Sequence, residues 1–293
     1  MDSTRYRPDW LTFRRFAAFT TALTGVLIAL GVYTAATGSG LACSAQWPLC
    51  DNGLLPQTIP SFIEWFHRLV AMVTGFFILG TVGWAWRADT ARRTKLAATL
   101  SVVLLPLQVS IGAVTVTLNG WLPNGYSPPT QSAHLLVALS IFTALVASTL
   151  FAYDGHHRTS TLVRVRRALL AALVLLPVSA LVSRAPGLVS YTPGTQATVV
   201  LASLPVFAAL VGAVYWAGVA GLDRIRLATL PVVGLVFVHL LLGRDLLIYA
   251  GSVRLLNLGI LAAAFLGLAA VAWVAYRVDE SSGSPTQGFT SSD

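Results

Sequence analysis

Long apolar runs separated by short polar stretches dominate the chain. Eight of them approach the roughly 20 residues that a helix needs to cross the hydrocarbon core of a bilayer, at 16–37, 62–86, 96–117, 129–153, 168–185, 195–219, 225–249 and 255–276. The pattern predicts an all-α polytopic membrane protein with eight transmembrane helices. The fifth run is the shortest and is interrupted by Pro177.

Composition narrows the class. Of 293 residues, 56% are hydrophobic and 10% charged, against about 25% charged in soluble domains. That excludes a cytosolic enzyme, a disordered protein and a disulfide-rich secreted module. The net charge of +8 does not form a basic face for nucleic acid. Most of its arginines, and its one lysine, sit between the apolar runs: Arg5, Arg7, Arg14 and Arg15 before the first, then Arg87, Arg92, Arg93 and Lys95 in the second loop. The fourth loop has Arg158, Arg164, Arg166 and Arg167, the sixth Arg224 and Arg226, and Arg277 follows the last run. The loops at 38–61 and 118–128 have neither Lys nor Arg. The positive-inside rule then expects a multi-pass protein of the cell membrane with both termini cytoplasmic. Tryptophans 10, 65, 84, 86, 121, 216 and 273 fall near run ends, as an interfacial belt requires. The first run is too long, and lacks the small-residue cleavage site, to read as a removed signal peptide. The polar segment 280–293 reads as a disordered cytoplasmic tail.

An internal repeat organises the runs. Shifted by 131 positions, Trp84 falls on Tyr215, Lys95 on Arg226, Gln108 on His239 and Gly112 on Gly243. With a slightly different shift His134 falls on Asn257. The chain therefore divides into two pseudo-repeated four-helix bundles, 1–155 and 156–279.

An ionisable side chain inside a span costs roughly 2.5–3.5 kcal/mol on insertion scales, so each one requires a reason. The second run opens with Glu64, His67 and Arg68, and the fourth with His134. Two histidines at matched depth on two helices of one bundle can face each other across its interior, which suits ligation of a haem iron from both sides. The alternative is that each only hydrogen-bonds a neighbouring carbonyl or hydroxyl. Glu64 and His67 share a helix face. Glu-x-x-His also occurs in di-metal bundles, but the first half has no second acidic residue inside a span. Arg68, four residues from Glu64, either pairs with it or with a haem propionate, or snorkels to the interface. His156 and His157 read as solvated loop residues, and His239 as a structural hydrogen bond, with a haem ligand as the alternative. Cys43 and Cys50 are the chain's two cysteines, both in the loop after the first run. Their setting suits a disulfide; two free thiols, or a pair that cycles with a reductant, are the alternatives.

These residues resemble the haem A synthases, membrane-embedded enzymes of cytochrome oxidase assembly. Thr37–Cys43 followed by Trp47-Pro-Leu-Cys50 resembles the family's first-loop signature. Glu64-Trp-Phe-His67-Arg68 resembles its second-helix motif, Leu107-Gln108-Val-Ser-Ile-Gly112 its third helix, and His134-Leu135 its fourth-helix ligand. The resemblance implies that His67 and His134 hold the substrate haem, with Glu64 as the functional acid beside it. It also implies oxidation of the haem O ring methyl to the formyl group of haem A, with haem O delivered by a farnesylating enzyme. The family has a second histidine pair for a haem B cofactor. Here its places are taken by Thr198 and Asn257, which cannot supply two imidazoles, so the later half departs from the family. The rival functions are a bis-histidine electron carrier and a non-catalytic haem chaperone in oxidase assembly. The sequence leaves open whether the chain acts alone or as a homo-oligomer.

Overall fold

The computed structural model describes residues 11–43, 46, 49–117, 128–156, 159–242 and 251–278. They form eight α-helices: α1 (Phe13–Ala36), α2 (Ile59–Arg87), α3 (Arg92–Thr117), α4 (Pro128–Tyr153), α5 (Thr161–Leu181), α6 (Pro193–Val219), α7 (Asp223–Leu242) and α8 (Gly251–Arg277). Trp10, Trp47, Trp121, Arg5, Arg7, His157, Arg158, Gly243, the end of the seventh run and the tail lie outside the described residues.

Seven of the helices are long and apolar enough to cross a membrane, and the chain is a polytopic membrane protein. The helix not among the seven is α5. It begins at Thr161, ahead of the apolar run, so its first two turns carry Arg164, Arg166 and Arg167.

Local chemistry sets the helix limits. Thr58 caps α2 by accepting the Ser61 N–H at 3.2 Å, with Pro60 in the first turn, where a missing N–H costs nothing. Thr192 and Thr195 form a reciprocal capping box at α6. Gly38, at φ 72°, ends α1 in the left-handed conformation that a side chain disfavours. Threonine hydroxyls inside the spans, such as Thr24 to the Thr20 carbonyl at 2.8 Å, bond back to their own helix. Others bridge helices, as Thr21 does to Thr149 at 2.9 Å. Both arrangements keep polar atoms satisfied in lipid.

Helices α1 to α4 pack in a ring, each against the next and α4 back onto α1. Helices α5 to α8 close a second ring in the same order. The rings join through α6, which packs on α1 and α4. Gly25 makes this close: a Cβ there would lie 3.4 Å from Phe142 of α4 and 3.6 Å from Leu204 of α6. At the arginine-rich end Asp154 ties the rings together, pairing with Arg93 of α3 and accepting the Tyr215 hydroxyl of α6 at 3.0 Å.

The rings are filled differently. The second is packed along its length by buried apolar side chains including Leu169, Leu176, Leu204, Leu210, Leu240 and Leu268. In the first, α1 and α4 join that cluster through Ile28, Val32, Leu135, Leu139 and Phe142, and separate apolar clusters lie at the arginine-rich end (Phe13, Ala17, Ala85, Ala98) and mid-span (Ile78, Ile141, Leu145). At the other end buried polar groups, Thr34, Ser39, Ser61 and Glu64, accompany the two cysteines.

Candidate haem site at the disulfide end of the first ring

The loop after α1 is built to rest on the start of α2. Cys43 and Cys50 are joined in a disulfide, and both sulfurs lie 3.8 Å from the Ser61 carbonyl oxygen. Asp51 and Asn52 adopt positive φ, and Cys50 and Gly53 exchange backbone hydrogen bonds across them at 3.2 and 3.0 Å. Short polar side chains tolerate that left-handed conformation. The turn aims Asp51 at α2, where it accepts the Ser61 hydroxyl at 3.0 Å. Gln46 locks the loop by a two-way bond with Asn52, at 2.7 and 2.9 Å.

This loop closes over Glu64, whose exposure is only 2%. One carboxylate oxygen accepts the Cys43 N–H at 2.7 Å, and the other pairs with Arg68 one turn later on α2. Arg68 also donates to the Gln46 carbonyl. Of the options for Arg68, the structure shows pairing with Glu64. A buried carboxylate with both oxygens engaged is fixed in place as well as charge-compensated. The sequence places Glu64 and Cys43 in separate elements, and nothing in it signals that the disulfide loop holds the acid.

His67 lies roughly 12 Å along α2 from its start and His134 roughly 9 Å along α4. The two helices are diagonal in the ring, and the two imidazoles are within electrostatic range of each other. Each ring is backed by a glycine of a neighbouring helix. A Cβ on Gly31 of α1 would stand 3.0 Å from Cε1 of His67, and one on Gly112 of α3 would stand 3.2 Å from Cε1 of His134. Both histidines nevertheless stay only half-buried. His67 makes no hydrogen bond among the described residues, whereas Gln108 of α3 lies 3.1 Å from Nε2 of His134. Gly31 escaped the sequence reading, because a glycine in an apolar run carries no sign of what it backs.

The equivalent end of the second ring has a different chemistry. Asn257 is fully buried and accepts from Nδ1 of His239 at 2.8 Å, so His239 makes a structural hydrogen bond. Thr198 lies on an exposed face and bonds back to the Gly194 carbonyl at 2.8 Å. Arg254 of α8 holds the α5–α6 connection through the Ala185 and Pro186 carbonyls, at 2.8 and 3.0 Å, where the first ring has its disulfide. His156 remains exposed on the α4–α5 loop.

Residues 57–274 match the COX15-CtaA family of cytochrome oxidase assembly proteins. That match takes in α2 to α7 and nearly all of α8, with both histidines and Glu64. The chain belongs to this family. Among its relatives, a haem A synthase of Bacillus licheniformis is 35% identical over 46% of this chain and 43% of its own length. The haem A synthase of Geobacillus kaustophilus is 38% identical over 47% of this chain and 43% of its own. A protoheme IX farnesyltransferase of Halobacterium salinarum is 34% identical over 44% of this chain and 28% of its own. The aligned stretch thus spans less than half the length of each of these relatives.

The glycine backing gives the site a direct test. Gly31→Val would force the His67 ring to move. It is expected to lower haem affinity about tenfold while leaving the fold intact, since misplacing a ligand typically costs 10- to 100-fold. Haem titration of the full chain in detergent, followed by absorption, measures this; unchanged affinity would separate Gly31 from the site.

Proposed function

We propose that the chain is a haem A synthase that binds haem O between His67 and His134 and oxidises its ring methyl to a formyl group, the oxygen coming from water or dioxygen and the four electrons passing to an acceptor outside the chain. The observation that carries this is the pair of imidazoles from diagonal helices, each backed by a glycine, beside a buried and fixed carboxylate. Paired imidazoles suit low-spin iron with both axial positions filled. The protein's task at the reacting methyl, on the porphyrin rim, is then positioning and charge control. Glu64, its charge partly balanced by Arg68, favours positive charge developing as electrons leave the rim, or accepts the proton released there by giving up one of its two hydrogen-bonded contacts. The loop and disulfide above it keep that carboxylate in register and exclude water.

The packed interior of the second ring and its His239–Asn257 bond support a single haem per chain. Purified from a haem-producing host, the protein is expected to contain one haem per chain, with the electron paramagnetic resonance of bis-imidazole low-spin iron. A high-spin signal would remove the reading, and two haems per chain would assign a second site to α5–α8.

Similarity to proteins named haem A synthase supports the enzyme over an electron carrier or haem chaperone, and Glu64 gives the site a chemical group that a carrier does not require. The match to a protoheme IX farnesyltransferase supports a farnesylating enzyme as supplier of the substrate, with oxidase assembly as the destination of the product. The arginine-rich ends of the helices face the cytoplasm in this reading, which sets the haem near the outer surface of the cell membrane.

The disulfide enters through Glu64. Replacing both Cys43 and Cys50 by serine is expected to leave haem bound and to lower conversion to a level between wild type and a Glu64 variant. The Cys43 N–H then loses its fixed position on the carboxylate. Wild-type conversion by the double variant, measured as oxidised haem per chain, would show that the disulfide is not needed for that contact.

A further inference from the structure

Gln108 and Gly112 are one turn apart on α3, and both touch the same ring of α4. Gly112 leaves the space in which the His134 imidazole lies, and the Gln108 amide nitrogen meets its Nε2 at 3.1 Å. An amide nitrogen only donates, so Nε2 of His134 accepts and presents its lone pair. That lone pair is the one a metal would take. The Gln108 amide oxygen is buried and has no hydrogen-bond partner among the described residues, where the imidazole is the one group that holds the amide.

The second ring contains the same bridge with its chemistry exchanged. By the repeat, Gln108 corresponds to His239 and His134 to Asn257. There the imidazole on α7 donates from Nδ1 to the amide oxygen on α8, at 2.8 Å. An amide–imidazole bond thus joins the third and fourth helices of each ring at equivalent positions. In the second ring it is fully buried among packed leucines, as a permanent tie. In the first its imidazole lies within electrostatic range of His67, which makes no hydrogen bond among the described residues.

We infer that Gln108 is a positioning residue that holds the Nε2 lone pair of His134 ready before haem binds and is displaced from it by the iron. This rests on His67 and His134 being the haem ligands. Loading is then ordered. His67 takes the iron first, giving a five-coordinate species, and His134 follows once the amide lets go. Removing the amide speeds the second step by the strength of one hydrogen bond, about five- to tenfold. A carboxylate in its place accepts from Nε2–H instead, keeps a proton on the ligating nitrogen, and slows that step.

The test uses the full chain in nanodiscs, prepared without haem and mixed with ferric haem B, with stopped-flow absorption following conversion of five- to six-coordinate haem. Gln108→Met, of matching length, is expected to convert about five- to tenfold faster than wild type, and Gln108→Glu more slowly. Helical content and melting temperature of both variants check that they fold. Opposite shifts of the two folded variants are not produced by a merely structural role. Equal rates in all three proteins, or slowing in both variants, would overturn the inference. A wild type that takes up haem without ever becoming six-coordinate would overturn the ligand assignment beneath it.

Discussion

Glu64→Gln is expected to leave haem bound between its two imidazoles while lowering conversion at least about a hundredfold, the usual size of the loss when one transition-state charge or proton acceptor is removed. The substitution keeps shape and hydrogen-bonding length, so the Cys43 N–H still finds an oxygen at this position. What disappears is the negative charge, and with it the partner of Arg68. Haem content and absorption should match wild type, and chromatography of the extracted haem should show unmodified substrate. Normal conversion would remove Glu64 from the chemistry. Loss of haem together with conversion would make it a structural residue, since its ties to the loop would then be what the site needs.

The second large effect is loss of six-coordinate haem on removing either imidazole. On the proposed ligation by both histidines, His67→Ala and His134→Ala each remove one protein ligand, and each is expected to convert the low-spin spectrum to high-spin and to stop turnover. The two variants should not be equal. Without His67 the remaining imidazole is still engaged by Gln108, so His67→Ala is expected to bind haem more weakly than His134→Ala. Added imidazole should restore part of the low-spin signal in both, because the space behind each ring is set by Gly31 and Gly112, not by the ring itself. A variant that keeps its low-spin spectrum would disqualify that histidine as a ligand.

Much of this was legible in the sequence, for identifiable reasons. The eight helices follow from the apolar runs, because in lipid a backbone must satisfy its hydrogen bonds within the helix; among the described residues seven of them are long and apolar enough to cross a bilayer, and α5 is not. The start of α5 was missed because Ser160 caps a helix whose first turns are basic, and an apolar-run criterion passes over such turns. His67, His134 and Glu64 stood out because ionisable groups are rare in spans. Their surroundings did not stand out. That Gly31 and Gly112 back the rings, that the Cys43 N–H holds Glu64, and that Gln108 meets His134 are contacts between elements distant in sequence. None alters a local pattern. The repeat pointed to Gln108 and His239 as partners in register, but not to the bond that each makes with the following helix.

The most direct measurement is the identity of the haem extracted from membranes of a host that makes haem O and expresses this chain. Chromatography is expected to show haem A, or its hydroxylated intermediate, in the wild type and only haem O in the Glu64→Gln variant. Recovery of unmodified haem O or haem B alone from a wild-type protein that is folded and loaded would contradict the account and leave a haem carrier in its place.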